Sequence, residues 1–327
     1  MDKKTWSLLK AIHNSISVSE ISHKTGIPKS TVSRRLKDIL SKTKVKYIVS
    51  EKALGLSPVI VFIDKKIENI PCYTISYRVG ITSSKNLYII AAYVPIQYLS
   101  AYLSLIDHDP IFVFKGKDRV IWNPVLSEKY GVISFSNNNI LTNFSILNKI
   151  DEKIYTFHET NLDIFDLLII SYKEKNAFIP LSEIYKKGLK DKIFISRQAL
   201  SYHFKKHVSS IWLGNTVFLY RPLNKYPLRL FIFEVHDVKN LVFKLSLIPY
   251  IYVTYYSDDM VAFSAQLTTL EIFKLYSNVL VHHKAKPILC EVYLKPSLVR
   301  FAIKYHCLWS NGWKKPWTAH KVRVWRG

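Results

Sequence analysis

Ile27-Pro28-Lys29-Ser30-Thr31-Val32-Ser33-Arg34-Arg35-Leu36-Lys37, continued by Ile39 and Leu40, decides how this chain is read. Val32, Leu36, Ile39 and Leu40 fall at i, i+4, i+7 and i+8, which is one buried stripe of a helix over about 29–40. Pro28 suits the position where a helix begins, because its missing N–H costs nothing there. Just upstream, Ser17 and Glu20 have capping-box spacing, so each can satisfy the other's free backbone donor. Gly26 then ends that second helix as a left-handed residue. A first helix over about 3–13 turns Leu8, Leu9 and Ile12 inward. Three helices with a short glycine turn between the last two form a helix-turn-helix pattern. The outer face of the third carries Lys29, Ser30, Thr31, Ser33, Arg34, Arg35 and Lys37. Arg and Lys pair with guanine edges and phosphates, and hydroxyls bond to either.

The pattern occurs twice. Val18-Ser19-Glu20-Ile21 returns as Leu181-Ser182-Glu183-Ile184, and Ile27 to Lys37 aligns with Ile195 to Lys205. Ile70-Pro71 returns as Ile248-Pro249. In the second copy Leu200, Phe204 and Val208 are the buried stripe. Arg197, Gln198, Ser201, Tyr202, Lys205 and Lys206 face out, and Gln can read adenine. Six extra residues between Gly188 and Ile195 make that turn looser. Gly214-Asn215, flanked by apolar runs, predicts a hairpin wing with Arg221 at its foot for phosphate contact.

After each helical unit comes an alternating α/β segment. The first copy has strands over 59–63, 73–79, 87–93 and 111–114, with a helix over 96–106. The second has a strand over 229–235, a helix over 238–247, strands over 250–256 and 260–266, a helix over 270–283, and a strand over 288–294. The order βαββαβ is a ferredoxin-like unit, with the first helix of copy one reduced to 65–69. The expected class is therefore α+β: two winged helix-turn-helix domains alternating with two ferredoxin-like domains. The boundaries read 1–52, 53–124, a connector over 125–160 with a tight turn at Asn137-Asn138-Asn139, then 161–224, 225–297 and a basic extension over 298–327.

Asp2-Lys3-Lys4-Thr5-Trp6-Ser7-Leu8-Leu9-Lys10-Ala11-Ile12, the Ser19 to Ile39 stretch, and Glu51-Lys52-Ala53-Leu54-Gly55-Leu56 resemble the start of the Lrp/AsnC (leucine-responsive regulator) family. The match is good over about residues 1–65 and architectural beyond. The resemblance implies a DNA-reading head joined to a ligand-sensing domain. The family's effector turn corresponds to Gly80 to Asn86 and to Ser257 to Met260. Copy one keeps the glycine without the acid. Copy two has Asp258 and Asp259 without the glycine, and a hairpin turn explains that pair.

Lys and Arg total 47 against 24 for Asp and Glu, a formal charge of +23. That excess suits a polyanionic partner. The 49% of hydrophobic residues is enough to build cores. Three scattered cysteines exclude a disulfide framework, and no GxGxxG or P-loop run occurs. The N-terminus is too polar for a signal peptide, and no apolar run reaches membrane-spanning length. His203 and His207 have metal-binding spacing, but no third ligand is apparent, and His282-His283 reads as a helix-end pair. Trp309, Trp313, Trp317 and Trp325, interleaved with basic residues, either stack on nucleic acid or anchor the extension.

The expectation is a nucleoid-associated, cytoplasmic DNA-binding transcription regulator, not an enzyme, with no cofactor and no metal. Its partner is double-stranded DNA, with no membrane and a small-molecule effector of unknown identity. The chain forms a pseudo-dimer within itself or a homodimer of such chains. Rival readings are a replication initiator, an architectural chromatin protein and, last, an enzyme resembling siroheme decarboxylases, which are built from two such halves.

Overall fold

The computed structural model describes residues 3–43, 45–136 and 139–321. Helices Lys3–His13, Val18–Thr25 and Lys29–Lys42 form the first helical unit, with Leu8, Ile12, Ile21, Val32 and Leu36 at its centre. Ser17 accepts from the Glu20 amide at 3.2 Å, as the spacing predicts, but Glu20 accepts from the Ile16 amide at 2.9 Å instead of that of Ser17. Gly26 closes the second helix at φ +66°. Leu40, expected inside, is 46% exposed. The second helical unit comprises Ile164–Lys173, Leu181–Lys190 and Arg197–Lys206, with Leu168, Ile184, Leu200, Phe204 and Val208 buried.

The loose turn expected between Gly188 and Ile195 falls at Lys192 with φ +60°, where the Ile193 amide donates to the Gly188 carbonyl. Gly188 itself is buried within Leu181–Lys190, where a Cβ would lie 2.8 Å from Leu168 Cδ2. One turn prediction in this unit is corrected: Gly214-Asn215 makes no hairpin. Both lie inside one strand, Trp212–Val217, which pairs antiparallel with Val45–Val49 of the first unit. Gly214 (φ +122°) lets the backbone approach His13, whose Cε1 a Cβ would meet at 2.8 Å. Buried Asn215 donates to the Ile12 and Ser15 carbonyls at 3.0 and 2.6 Å. Glycine here serves close approach, and asparagine satisfies helix-end carbonyls that would otherwise be orphaned. Arg221 is likewise withdrawn from any phosphate role. It grips Glu271 through both nitrogens at 2.5 and 2.9 Å and lies 3.6 Å from the Tyr250 ring centroid.

The α/β segments merge into one nine-stranded antiparallel sheet. Its order is Phe112–Lys115, Leu56–Ile63, Asn86–Pro95, Thr74–Ile81, Lys286–Arg300, Arg229–Glu234, Met260–Ala265, Ile251–Tyr256 and Asp118–Val120. Within each half the fourth, first, third and second strands lie side by side. The seam is Thr74–Ile81 against Lys286–Arg300. At that seam a Cβ on Gly80 would come within 2.5 Å of Val292, so this glycine serves strand packing. Asp118–Val120, from the first half, pairs with Ile251–Tyr256 at the far edge of the second. The repeat is visible in the backbone: Tyr73 and Tyr250, each just after its Ile-Pro, both hold positive φ (73° and 69°). Bulky residues rarely adopt that conformation.

One face of the second half is covered by Val238–Ser246 and Thr269–Leu275, and the latter continues as a wider π turn over Tyr276–Leu280. In the connector, Ile133–Ser136 pairs with Asn139–Thr142 with Ser136 opposite Asn139; the predicted turn at Asn137 and Asn138 lies outside the described residues. The basic extension packs on the protein itself. Trp313 Nε1 donates to the Leu54 carbonyl at 2.9 Å, its ring meets Tyr73, Tyr305 and Trp309, and Thr318–Lys321 pairs with Asn69–Pro71. Trp325 lies outside the described residues. No described helix is long and apolar enough to cross a membrane.

Candidate functional site

The predicted reading helices are exposed where the sequence puts them. Lys29, Ser30, Arg34 and Lys37 are exposed, with Thr31, Ser33 and Arg35 half-buried. On the second helix Arg197, Gln198, Tyr202, Lys205 and Lys206 are exposed and Ser201 is half-buried. Arg197 lies over the Tyr185 ring at 5.2 Å.

The larger concavity lies elsewhere. A cavity of ≈ 580 Å³ opens between one face of the nine-stranded sheet and the helical units. That volume suits a ligand with a sizeable apolar body and a few placed polar anchors. Alternation builds its walls. On Val45–Val49, Lys46 and Ile48 line the cavity while Tyr47 and Val49 enter the helical core. On the sheet, Ile60, Arg78, Ile89, Ala91, Tyr93, Leu230, Val253 and Tyr255 form the floor. Ser171, Glu174 and Lys175 come from Ile164–Lys173 and the turn after it, and Arg300, Phe301 and Ile303 from the end of the last long strand and beyond. Five cations (Lys46, Arg78, Arg119, Lys175 and Arg300) line it against one carboxylate, Glu174.

These cations differ in kind. Arg119 is buried and neutralised. It pairs with Glu51 and, at 3.3 Å, with Glu174, and its Nη1 donates to Tyr93 Oη at 2.5 Å. Tyr305 Oη donates to Glu174 at 3.2 Å. Behind them Asp118 accepts from Ser50 Oγ at 2.5 Å and from the Glu51 and Arg119 amides. Burial, followed by the nearby Asp118 and Glu174 charges, drives the Glu51 carboxyl well above its ordinary range against the pull of Arg119. Arg78 is the reverse case. Among the described residues no carboxylate lies within ion-pair distance of it. Burial and the neighbouring Arg300 lower it to about 10. Arg300 donates to Tyr220 Oη at 3.1 Å and likewise has no carboxylate partner among the described residues. Arg78 on the apolar floor, with the exposed Arg300 near it and no carboxylate partner for either among the described residues, has the chemistry to receive a carboxylate or phosphate.

A histidine that the sequence reading passed over stands behind the wall. His306 Nδ1 lies 3.1 Å from Ser171 Oγ, and its Nε2 lies 3.2 Å from Asp191 Oδ2. Asp191 also accepts from Tyr172 Oη at 2.5 Å. Burial lowers the His306 pKa. Ser171 reaches the cavity with its hydroxyl donating to the Leu167 carbonyl at 2.6 Å, and His306 and the partly exposed Asp191 stand in line behind it. Ser, His and Asp here are separated by 20 to 135 residues, and no local motif could reveal them. His203 and His207, for which the sequence offers no third ligand, meet Asp166 of Ile164–Lys173. His282 and His283 fall together at the end of the π turn, away from the cavity.

No protein-family model and no curated protein matches the chain. Two solved structures resemble it. The crystal structure of the siroheme decarboxylase NirDL aligns over 93% of this chain and 96% of its own, with a TM-score of 0.52 and 12% identity. The same enzyme in co-complex with an iron-uroporphyrin III analogue aligns over 92% and 95%, with a TM-score of 0.51 and 10% identity. At that identity the likeness shows the fold alone. The expectation of a DNA-binding transcription regulator, and of a chain that is not an enzyme, is overturned: both structures are of an enzyme, the reading placed last on sequence.

Proposed function

We propose that the chain is an enzyme that binds a polycarboxylate tetrapyrrole in the inter-unit cavity and removes a carboxyl group from it, in the manner of the siroheme decarboxylase it resembles. In this reading each half is a helix-turn-helix unit followed by a ferredoxin-like unit, and the two helical units, joined by the pairing of Val45–Val49 with Trp212–Val217, serve as lids over the joined sheet. The observation that carries the reading is Arg78, a cation without counter-charge on the apolar floor, with Arg300 beside it. Ile60, Ile89, Leu230 and Val253 would cover a broad ring, while the two guanidinium groups hold carboxylates at its edge.

Decarboxylation breaks one C–C bond, releases CO₂ and requires one proton at the carbon left behind. Electrons balance without an acceptor. Burial of the substrate carboxylate favours loss of the charged group as neutral CO₂. Ser171 on the wall gives its own hydroxyl hydrogen to the Leu167 carbonyl at 2.6 Å, so the nearest transferable proton on this side would be that of His306 Nδ1 behind it. Arg119, held by Glu51 and Glu174, keeps Tyr93 oriented on the floor.

Titration of the purified chain with iron-uroporphyrin III, followed by the shift of its visible band, tests binding. Anaerobic incubation with siroheme and mass analysis for loss of CO₂ tests the reaction. Saturable binding with turnover supports the proposal. Binding without turnover removes the enzyme from it, and no band shift at all refutes it.

A further inference from the structure

We propose that Asp166, His203 and His207, with Asp163 at the edge, form a binding site for a divalent transition-metal ion of the zinc class, which staples two helices of the second helical unit. His203 sits in Arg197–Lys206 and His207 at its C-cap, four residues apart and therefore on one face. Both direct the same atom, Nδ1, at one carboxylate. His203 Nδ1 lies 3.0 Å from Asp166 Oδ1, and His207 Nδ1 lies 3.1 Å from Asp166 Oδ2. Asp163 Oδ1 lies 3.6 Å from His203 Nδ1. The three ligand atoms of the central group all fall within 4.8 Å of one another. Two donors bonded to zinc at about 2.1 Å across a tetrahedral angle stand about 3.4 Å apart. The observed separations bracket that value, so small rotations of the two rings would admit the ion.

Charge points the same way. In a chain of +23, these two carboxylates have no Lys or Arg within ion-pair distance among the described residues, and histidines are their only charged-type neighbours. Asp166 is fully buried, and a buried carboxylate is ordinarily paired or bound to metal. Its helix explains part of its position, because Asp163 and Asp166 complete a capping box at the start of Ile164–Lys173. The box occupies Asp163 Oδ1 and one Asp166 oxygen with backbone amides and leaves both imidazoles still aimed at that carboxylate. His207, whose side chain is 32% exposed, gives the ion a way in. Nitrogen and oxygen donors in this mixture suit zinc or cobalt rather than calcium or magnesium.

The test uses the full chain without an affinity tag, stripped with chelator and titrated with Co²⁺. The expected result is one equivalent bound with the intense visible bands of a four-coordinate ion, displaced by Zn²⁺. His207→Ala should weaken binding by roughly a hundredfold or more, since even supporting residues of metal sites cost ten- to a hundredfold. His282→Ala should leave binding unchanged. Zn²⁺ should also raise the thermal midpoint of the parent chain and not that of His207→Ala. Should His203→Ala fail to fold, His207→Ala, on the more exposed ligand, keeps the comparison. Absence of the bands at millimolar Co²⁺, or their persistence in the His203→Ala/His207→Ala double variant, overturns the proposal. Neither result bears on tetrapyrrole binding in the main cavity.

Discussion

Replacing Arg78 by Met separates a functional cation from a structural one, because the two roles predict opposite signs. Burial and then the neighbouring Arg300 lower the Arg78 pKa from the ordinary guanidinium range to about 10. At about 1.4 kcal/mol per unit, the charged form is disfavoured by roughly 3 kcal/mol relative to water, although it remains charged at neutral pH. Arg300 stays in place in the variant, and Met fills the aliphatic part of the same space. Relief of about half that cost gives an expected gain of about 1–2 kcal/mol in stability, read as a higher urea midpoint. Affinity for iron-uroporphyrin III should move the other way. A charge-assisted hydrogen bond is worth about 1.5–3 kcal/mol, or roughly a ten- to hundredfold weaker Kd. Natural sites commonly trade stability for function in this way. A variant that is less stable than the parent and binds the macrocycle equally well would refute the reasoning and make Arg78 a structural residue.

Three further predictions concern packing within and between the helical units. His13 is buried and its pKa is lowered to about 4, so the unfolded chain takes up a proton near 6.5 while the folded one does not. Stability is then intact above pH 6.5 and falls by roughly 3 kcal/mol as pH drops toward 4, and His13→Asn should flatten that fall in urea titrations at stepped pH. Lys173 is buried over the Tyr47 and Phe204 rings with its pKa lowered to about 8, and its ammonium donates to the Ala177 carbonyl. Stability should rise between about pH 8 and 10.4, where the folded state has released the proton and the unfolded state has not, and Lys173→Met should abolish the rise. Asn215→Ala orphans the Ile12 and Ser15 carbonyls. It should cost about 2–4 kcal/mol and speed hydrogen exchange at Val45–Val49; unchanged exchange would show that the amide is dispensable.

What was legible in the sequence was local. The Val32, Leu36 and Leu200, Phe204 stripes and the Gly26 cap rest on interactions within a few residues, and they appear in the structure. What escaped was everything decided by distant partners. Gly214-Asn215 has the composition of a tight turn, yet His13 and the end of the first helix, about 200 residues away, hold it in a strand. Arg221 looks free to meet phosphate until Glu271 is folded against it. The basic faces of Lys29–Lys42 and Arg197–Lys206, expected to read DNA, are equally available to solvent, and a charge count does not distinguish these outcomes. The cavity draws Arg78, Arg119, Ser171 and Arg300 from four separate stretches, so no spacing announces it.

The pairing of Val45–Val49 with Trp212–Val217 also sets a timetable. During synthesis the first strand leaves the ribosome roughly 170 residues before its partner exists; at about 5–20 residues per second that leaves roughly ten to thirty seconds with an open edge. An unpaired edge is a template for any strand that arrives, and on a polysome the nearest candidate is the same segment of a neighbouring nascent chain. The dwell before Trp212 emerges is therefore an interval in which this edge is open to exchange with its siblings, and a chaperone that shields this edge need act only until the second helical unit has been made.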